Sequence, residues 1–166
     1  MKIKSILIPL LVLILFGCNY NDENTISHEK QNNKQLNKMQ IVSSDEDDFT
    51  FTITSDKKIY SKGEKVDIEA NLLYNGKSSE VIVRGGGNLI TSEVLNELGE
   101  EISPRYSRED IALPYTFAKG QPVILNTTDI DTTHLDLGKV TVNATVEFYL
   151  NQKDYKLNNE LVFTIK

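Results

Sequence analysis

Lys65-Val66-Asp67-Ile68-Glu69-Ala70-Asn71-Leu72-Leu73-Tyr74 sets Val66, Ile68, Ala70, Leu72 and Tyr74 in alternation with Lys65, Asp67, Glu69, Asn71 and Leu73. A period of two sends the two sets to opposite faces of an extended chain, so this stretch predicts a β-strand with one buried and one solvated side. A strand of that kind needs neighbours for its backbone and a second layer over its apolar face. Upstream, Phe49, Phe51 and Ile53 alternate with Thr50, Thr52 and Thr54, and Lys62-Gly63-Glu64 reads as a turn. Downstream, Asn75-Gly76 is a hairpin or tight-turn signal, because both residues tolerate positive φ. Glu80-Val81-Ile82-Val83-Arg84 follows as the next strand.

The same punctuation continues to the C-terminus. Gly85-Gly86-Gly87 lacks the Lys-Ser/Thr of a phosphate-binding loop and reads as a bulge or sharp corner. Between Thr91 and Ile102, Val94, Leu95, Leu98 and Ile102 have helical spacing, whereas Asn96-Glu97-Leu98-Gly99 suits a hairpin turn; the strand-like surroundings favour the hairpin. Residues 103–119, with Pro104 and Pro114, read as a long irregular connection. Its Arg105, Tyr106, Arg108, Tyr115 and Phe117 are residue types enriched at interface anchors, which makes this a candidate partner-binding loop; the alternative is that the aromatics cover the core. Gln121 to Leu125 gives a short strand, Asp129 to Leu137 a polar crossover, and Lys139 to Leu150 a long strand with Val140, Val142, Ala144, Val146 and Phe148 on one face. Asn151 to Asp154 turns the chain, and Tyr155-Lys156-Leu157 with Leu161 to Ile165 reads as a closing hairpin. With no convincing helix, residues 48–166 are expected to form a single all-β unit, an antiparallel Ig-like β-sandwich of about seven or eight strands.

The first residues have a different logic. Lys2 and Lys4 precede an apolar run from Ile6 to Phe16, which contains Pro9 and is shorter than the roughly 20 residues needed to span a bilayer. That is the pattern of a secretory signal peptide, assigned to residues 1–17. Leu15-Phe16-Gly17-Cys18 resembles the lipobox of bacterial lipoproteins, although Phe16 is bulkier than usual. The resemblance implies that Leu15 and Gly17 are read by the signal peptidase and that Cys18 is diacylated as the new N-terminus. Two acyl chains hold a protein stably where one does not. The expected location is therefore the extracytoplasmic face of the cell membrane, anchored through a diacylglyceryl Cys18. Residues 18–47 are read as the lipidated Cys and a flexible polar tether, whose root-mean-square span is about 30 Å. Asp45-Glu46-Asp47-Asp48 lacks the glycine and distal Glu of a calcium hand and reads as a solvated acidic boundary.

Composition narrows the function classes. Among 166 residues, Asp+Glu 24 exceed Lys+Arg 18, giving a net charge of -6, the wrong sign for nucleic-acid binding. One Cys, two His and no Trp leave neither a disulfide framework nor a zinc cluster, and no cofactor or metal is expected. His134 is the only His after the tether. A set of Ser107, His134 and Asp136 has no nucleophile elbow around it, and Glu100-Glu101 and Glu109-Asp110 are adjacent in expected turns rather than facing across a cleft. No catalytic residue is assigned.

Ile59-Tyr60-Ser61-Lys62-Gly63-Glu64-Lys65-Val66, leading to Asn75-Gly76, resembles the opening of many bacterial Ig-like domains. Leu137-Gly138-Lys139-Val140-Thr141-Val142 is similar to the Gly-led penultimate strand of that architecture. The layout of residues 49–166 is similar to the sandwich family named for a Gram-positive intracellular proteinase inhibitor. It lacks the Cys pair and core Trp of antibody-type domains, and no inhibitory residue maps onto it. The expectation is a non-enzymatic, membrane-anchored binding or scaffolding module for an envelope protein. An inhibitor presenting a loop to an envelope or secreted protease is the alternative, and a hydrolase the third reading.

Overall fold

The computed structural model describes residues 38–102 and 111–166, without the side chains of residues 126–128. Residues 1–37 lie outside the described residues, as do Arg105, Tyr106 and Arg108. Among the described residues ten strands follow in chain order: β1 (Gln40–Glu46), β2 (Phe49–Ser55), β3 (Ile59–Tyr60), β4 (Lys65–Tyr74), β5 (Glu80–Gly85), β6 (Ile90–Leu95), β7 (Leu113–Ala118), β8 (Val123–Asp131), β9 (Gly138–Leu150) and β10 (Lys153–Ile165). One sheet has the order β1-β2-β4-β8; the other runs β3-β10-β9-β5-β7, with β6 also on β9. The pairings are antiparallel except that of β3 with β10. This is the expected all-β sandwich, with more strands than the seven or eight counted in sequence.

The alternation in Lys65–Tyr74 is realised in full, with Val66, Ile68, Ala70, Leu72 and Tyr74 buried. Phe49, Phe51 and Ile53 of β2 and Leu157, Leu161, Phe163 and Ile165 of β10 fill the space between the sheets. Phe49 is the hub, with ring centroids 4.7 Å from Phe148, 5.3 Å from Tyr74 and 5.4 Å from Tyr155.

Several expectations are corrected. The sheet begins at Gln40, ahead of the Asp48 boundary, so part of the expected tether is strand β1. The acidic boundary there is tied down: Lys153 Nζ lies 2.9 Å from Glu46 Oε1 and 2.8 Å from Asp47 Oδ2, and the Tyr155 hydroxyl donates to Asp47 Oδ2 at 3.0 Å. These bonds, Lys153 foremost, hold the Asp47 carboxyl below its ordinary range. Asn75-Gly76 is a corner between sheets, since β4 pairs with β2 and β8 while β5 pairs with β7 and β9. The segment expected to be irregular through residue 119 contains strand β7. Thr91 to Ile102, by contrast, takes the hairpin form favoured from the sequence: β6 ends in a turn closed by Asn96 N to Glu100 O at 2.9 Å, and Leu95 bridges Glu101. The closing hairpin is β9–β10, turning at Asn151 and Gln152 with φ of 50° and 65°, and β10 runs unbroken through Asn158-Asn159.

The Tyr60-to-Glu64 segment, which carries the Ig-like resemblance, is a structural turn. Gly63 adopts φ 85°, the Glu64 carboxylate accepts from Ser61 N at 2.9 Å, and the buried Tyr60 hydroxyl donates to Asp56 at 2.5 Å. Burial first, then this bond to a carboxylate, pushes the Tyr60 hydroxyl far above its usual range. Thr132, fully buried, sets its hydroxyl 2.7 Å from Glu64 O and 3.2 Å from Ser61 O, pinning the β8–β9 crossover onto this turn.

Candidate binding face

Strand β5 turns Val81 and Val83 inward, which leaves Ile82 and Arg84 on the outer face of the second sheet. Arg84 is the register partner of Tyr149 in β9. Past Arg84 the chain bends at Gly85-Gly86-Gly87 and resumes as β6 along the same strand β9, so the corner meets the β9–β10 ladder from the side. A Cβ on Gly85 would collide with the Leu89 side chain and come 3.3 Å from Glu147 O. Glycine there lets Leu89 fold beneath the corner and Glu147 N donate to Leu89 O at 3.1 Å. Tyr115 fixes the corner from the other strand: its hydroxyl lies 2.8 Å from the carbonyls of both Gly86 and Gly87.

Between this corner and the β9–β10 hairpin lies an open cleft of about 510 Å³, lined by Arg84, Glu147, Tyr149, Asp154 and Lys156 with Ile111 at its rim. Lys156 Nζ pairs with Glu147 Oε1 at 2.8 Å. Among the described residues Arg84 has no carboxylate partner. Ile82, Ile111 and Tyr149 keep 58%, 57% and 44% of their surface exposed beside it. An exposed aromatic, a guanidinium without a carboxylate partner among the described residues and flanking aliphatics could serve recognition, since apolar groups desolvate readily and a guanidinium binds carboxylates in two-pronged fashion.

Of the candidate loop, Phe117 is 1% exposed and packs edge-on to Phe49 at 6.4 Å, so it belongs to the core and not to a partner surface. Tyr115 is half-buried, with its hydroxyl committed to the glycine corner. Arg105, Tyr106 and Arg108 lie outside the described residues, as do Leu15, Gly17 and Cys18. Sequence reasoning missed Tyr149 and Ile82. Their signal was phase: Tyr149 shares the polar register of Asn143, Thr145 and Glu147, and Ile82 that of Glu80 and Arg84.

His134 is exposed at the end of a short 3-10 turn whose start is capped by Asp131. Asp131 accepts from Thr133 N and Oγ1 at 2.9 and 2.6 Å, which keeps its carboxyl below the ordinary range. Among the described residues no group of three metal-ligating side chains comes together. The outer face of the first sheet differs in charge from the cleft. Asp67 of β4 stands opposite Asp129 of β8, and sharing a hydrogen bond with that second carboxyl, then desolvation and repulsion, raises the Asp67 pKa. A folded-state pKa above the unfolded value means that the native chain holds more protons in the window between them, so this pair lowers stability as pH rises through it. Asp67→Asn is therefore expected to raise the thermal midpoint near neutral pH and to leave it unchanged below about pH 3, as read by calorimetry at both.

A search for relatives finds no matching family model and no matching curated protein.

Proposed function

We propose that the chain is a lipid-anchored extracytoplasmic bacterial protein whose sandwich is a non-enzymatic recognition module, held to the membrane through a diacylated Cys18. The observation that carries the anchor is the order Lys2, Lys4, an apolar run from Ile6 to Phe16, then Leu15-Phe16-Gly17-Cys18. Charge, an apolar stretch too short to span, a small residue and the only Cys of the chain stand in the sequence a lipoprotein peptidase reads. Support for recognition comes from the face built by Arg84, Tyr149, Ile82 and Ile111, with the envelope protein it meets as the partner class.

The test is Cys18→Ser in the full chain expressed in a bacterial host. Labelled fatty acid is expected to enter the wild type and not the variant, and a variant whose signal is nonetheless removed at another site is expected to leave the membrane fraction. Equal labelling, or membrane retention of a variant whose signal has been removed, overturns the anchor. In the same host, Arg84→Ala combined with Tyr149→Ala is expected to remove cross-linking to a neighbouring envelope protein without changing thermal stability. Retained cross-linking would place recognition elsewhere.

A further inference from the structure

A sheet edge exposes unpaired N–H and C=O groups, and folded proteins usually blunt it. Among the described residues, four of the five candidate edges are blunted. Strand β3 is two residues long, β7 contains Pro114, and β6 is bridged by its own turn at Leu95 and Glu101. On β1, the Val42 carbonyl accepts from Asn159 Nδ2 at 3.4 Å and the Glu46 carboxylate accepts from Lys156 N at 3.3 Å, so β10 closes over it. Strand β8 is different. It contains neither Pro nor a cation, and among the described residues no strand pairs with its outer side. A bulge at Leu125 interrupts its start, after which Asn126–Asp131 holds unbroken register with Ala70–Lys65.

The surface flanking this edge also has a definite charge. Asp67, Glu69, Asp129 and Asp131 lie on the outer face of β4 and β8, with Lys65 as the one cation of those two strands. Ile124, 60% exposed, adds an apolar contact at the far end. A second copy of the chain placed against β8 would bring another set of these carboxylates to the same face, and like charges near one another across strands are unfavourable. We propose that the outer edge of β8 receives an extended peptide strand carrying Lys or Arg at alternate positions, adding a fifth strand to the first sheet. Backbone hydrogen bonds supply the pairing, and the alternate cations meet Asp129 and its neighbours on the solvated face. This surface lies on the other sheet from the Arg84–Tyr149 cleft and does not depend on that reading.

The experiment titrates isotope-labelled protein with a synthetic peptide alternating Lys with Val and Thr, and with the same peptide carrying Glu in place of Lys. The Lys peptide is expected to shift and protect the amides of Asn126–Asp131, and the Glu peptide to bind at least tenfold more weakly. Asp129→Asn with Glu69→Gln should weaken the Lys peptide by about fivefold, the size expected of two exposed ion pairs. N-methylation of those peptide nitrogens that face β8 should abolish binding, whereas methylation of the alternate nitrogens should not. Binding indifferent to methylation would be charge attraction alone and overturns the proposal. So would shifts confined to β5 and β9, a β8-mediated dimer that excludes the peptide, or no binding at all; the first of these would leave the cleft reading standing.

Discussion

Phe49→Ala is expected to lower unfolding free energy by about 3–5 kcal/mol, the range for removing a buried ring from a core that cannot close around the gap. Phe49 is 1% exposed and meets four aromatic rings from both sheets: Tyr74, Phe117, Phe148 and Tyr155. Phe148 and Tyr155 are cross-strand partners stacked at 4.9 Å with planes 8° apart, so they form one rigid wall. Their backbones are fixed by the β9–β10 ladder, and relaxation into the void is limited. Urea denaturation should show the midpoint falling sharply with the slope unchanged. A loss below about 1 kcal/mol would mean that the cluster repacks and is not the centre of the fold.

Asn159→Ala is the second large effect, expected at about 2–3 kcal/mol. Asn159 sits on the inward face of β10, 6% exposed, and its amide donates to Phe51 O at 2.9 Å and more weakly to Val42 O at 3.4 Å. These bonds cross from one sheet to backbone of the other. Removing the amide leaves buried carbonyls without their donor, which costs more than the bond itself is worth. Because β1 is the edge that Asn159 helps to cover, native-state hydrogen exchange should accelerate in Gln40–Glu46 more than in β4. Uniform acceleration across both strands would show that the bond stabilises the whole fold without locking that edge.

The same residue marks where the sequence stopped being readable. Asn158-Asn159 breaks the apolar alternation between Leu157 and Leu161, and two Asn residues are ordinary turn chemistry. The strand persists because the partner carbonyls that satisfy Asn159 lie more than a hundred residues away in sequence, on β1 and β2. Where burial follows a local period, as in Lys65–Tyr74 and Lys139–Leu150, the sequence sufficed. Pairing was less accessible: nothing local says that Asn75-Gly76 joins two sheets and not two neighbours. Strand β1 was missed for a related reason, since its inward residues are Gln40, Val42, Ser44 and Glu46, a weak apolar signal rescued by packing against β10. For the candidate face, Tyr149 was legible in its phase, but its meeting with Arg84 depends on the glycine corner. Phe117 resembled an interface anchor because residue type alone does not distinguish an aromatic in the core from one on the surface.

Strand β1 also gives the domain a direction. At Gln40 it is tied to Ser55 and to the Lys57 carbonyl, and at Glu46 and Asp47 it is clamped by Lys153, beside the hairpin whose Asp154 and Lys156 line the cleft. The intervening strand spans roughly 20 Å at the usual rise per residue. If Cys18 is acylated as proposed, the membrane-facing pole is the one at Gln40, and the cleft lies toward the opposite, Asp47 end. On the reading proposed above, the sandwich then has a proximal and a distal end, and the candidate face lies at the distal one because of the geometry of the first strand.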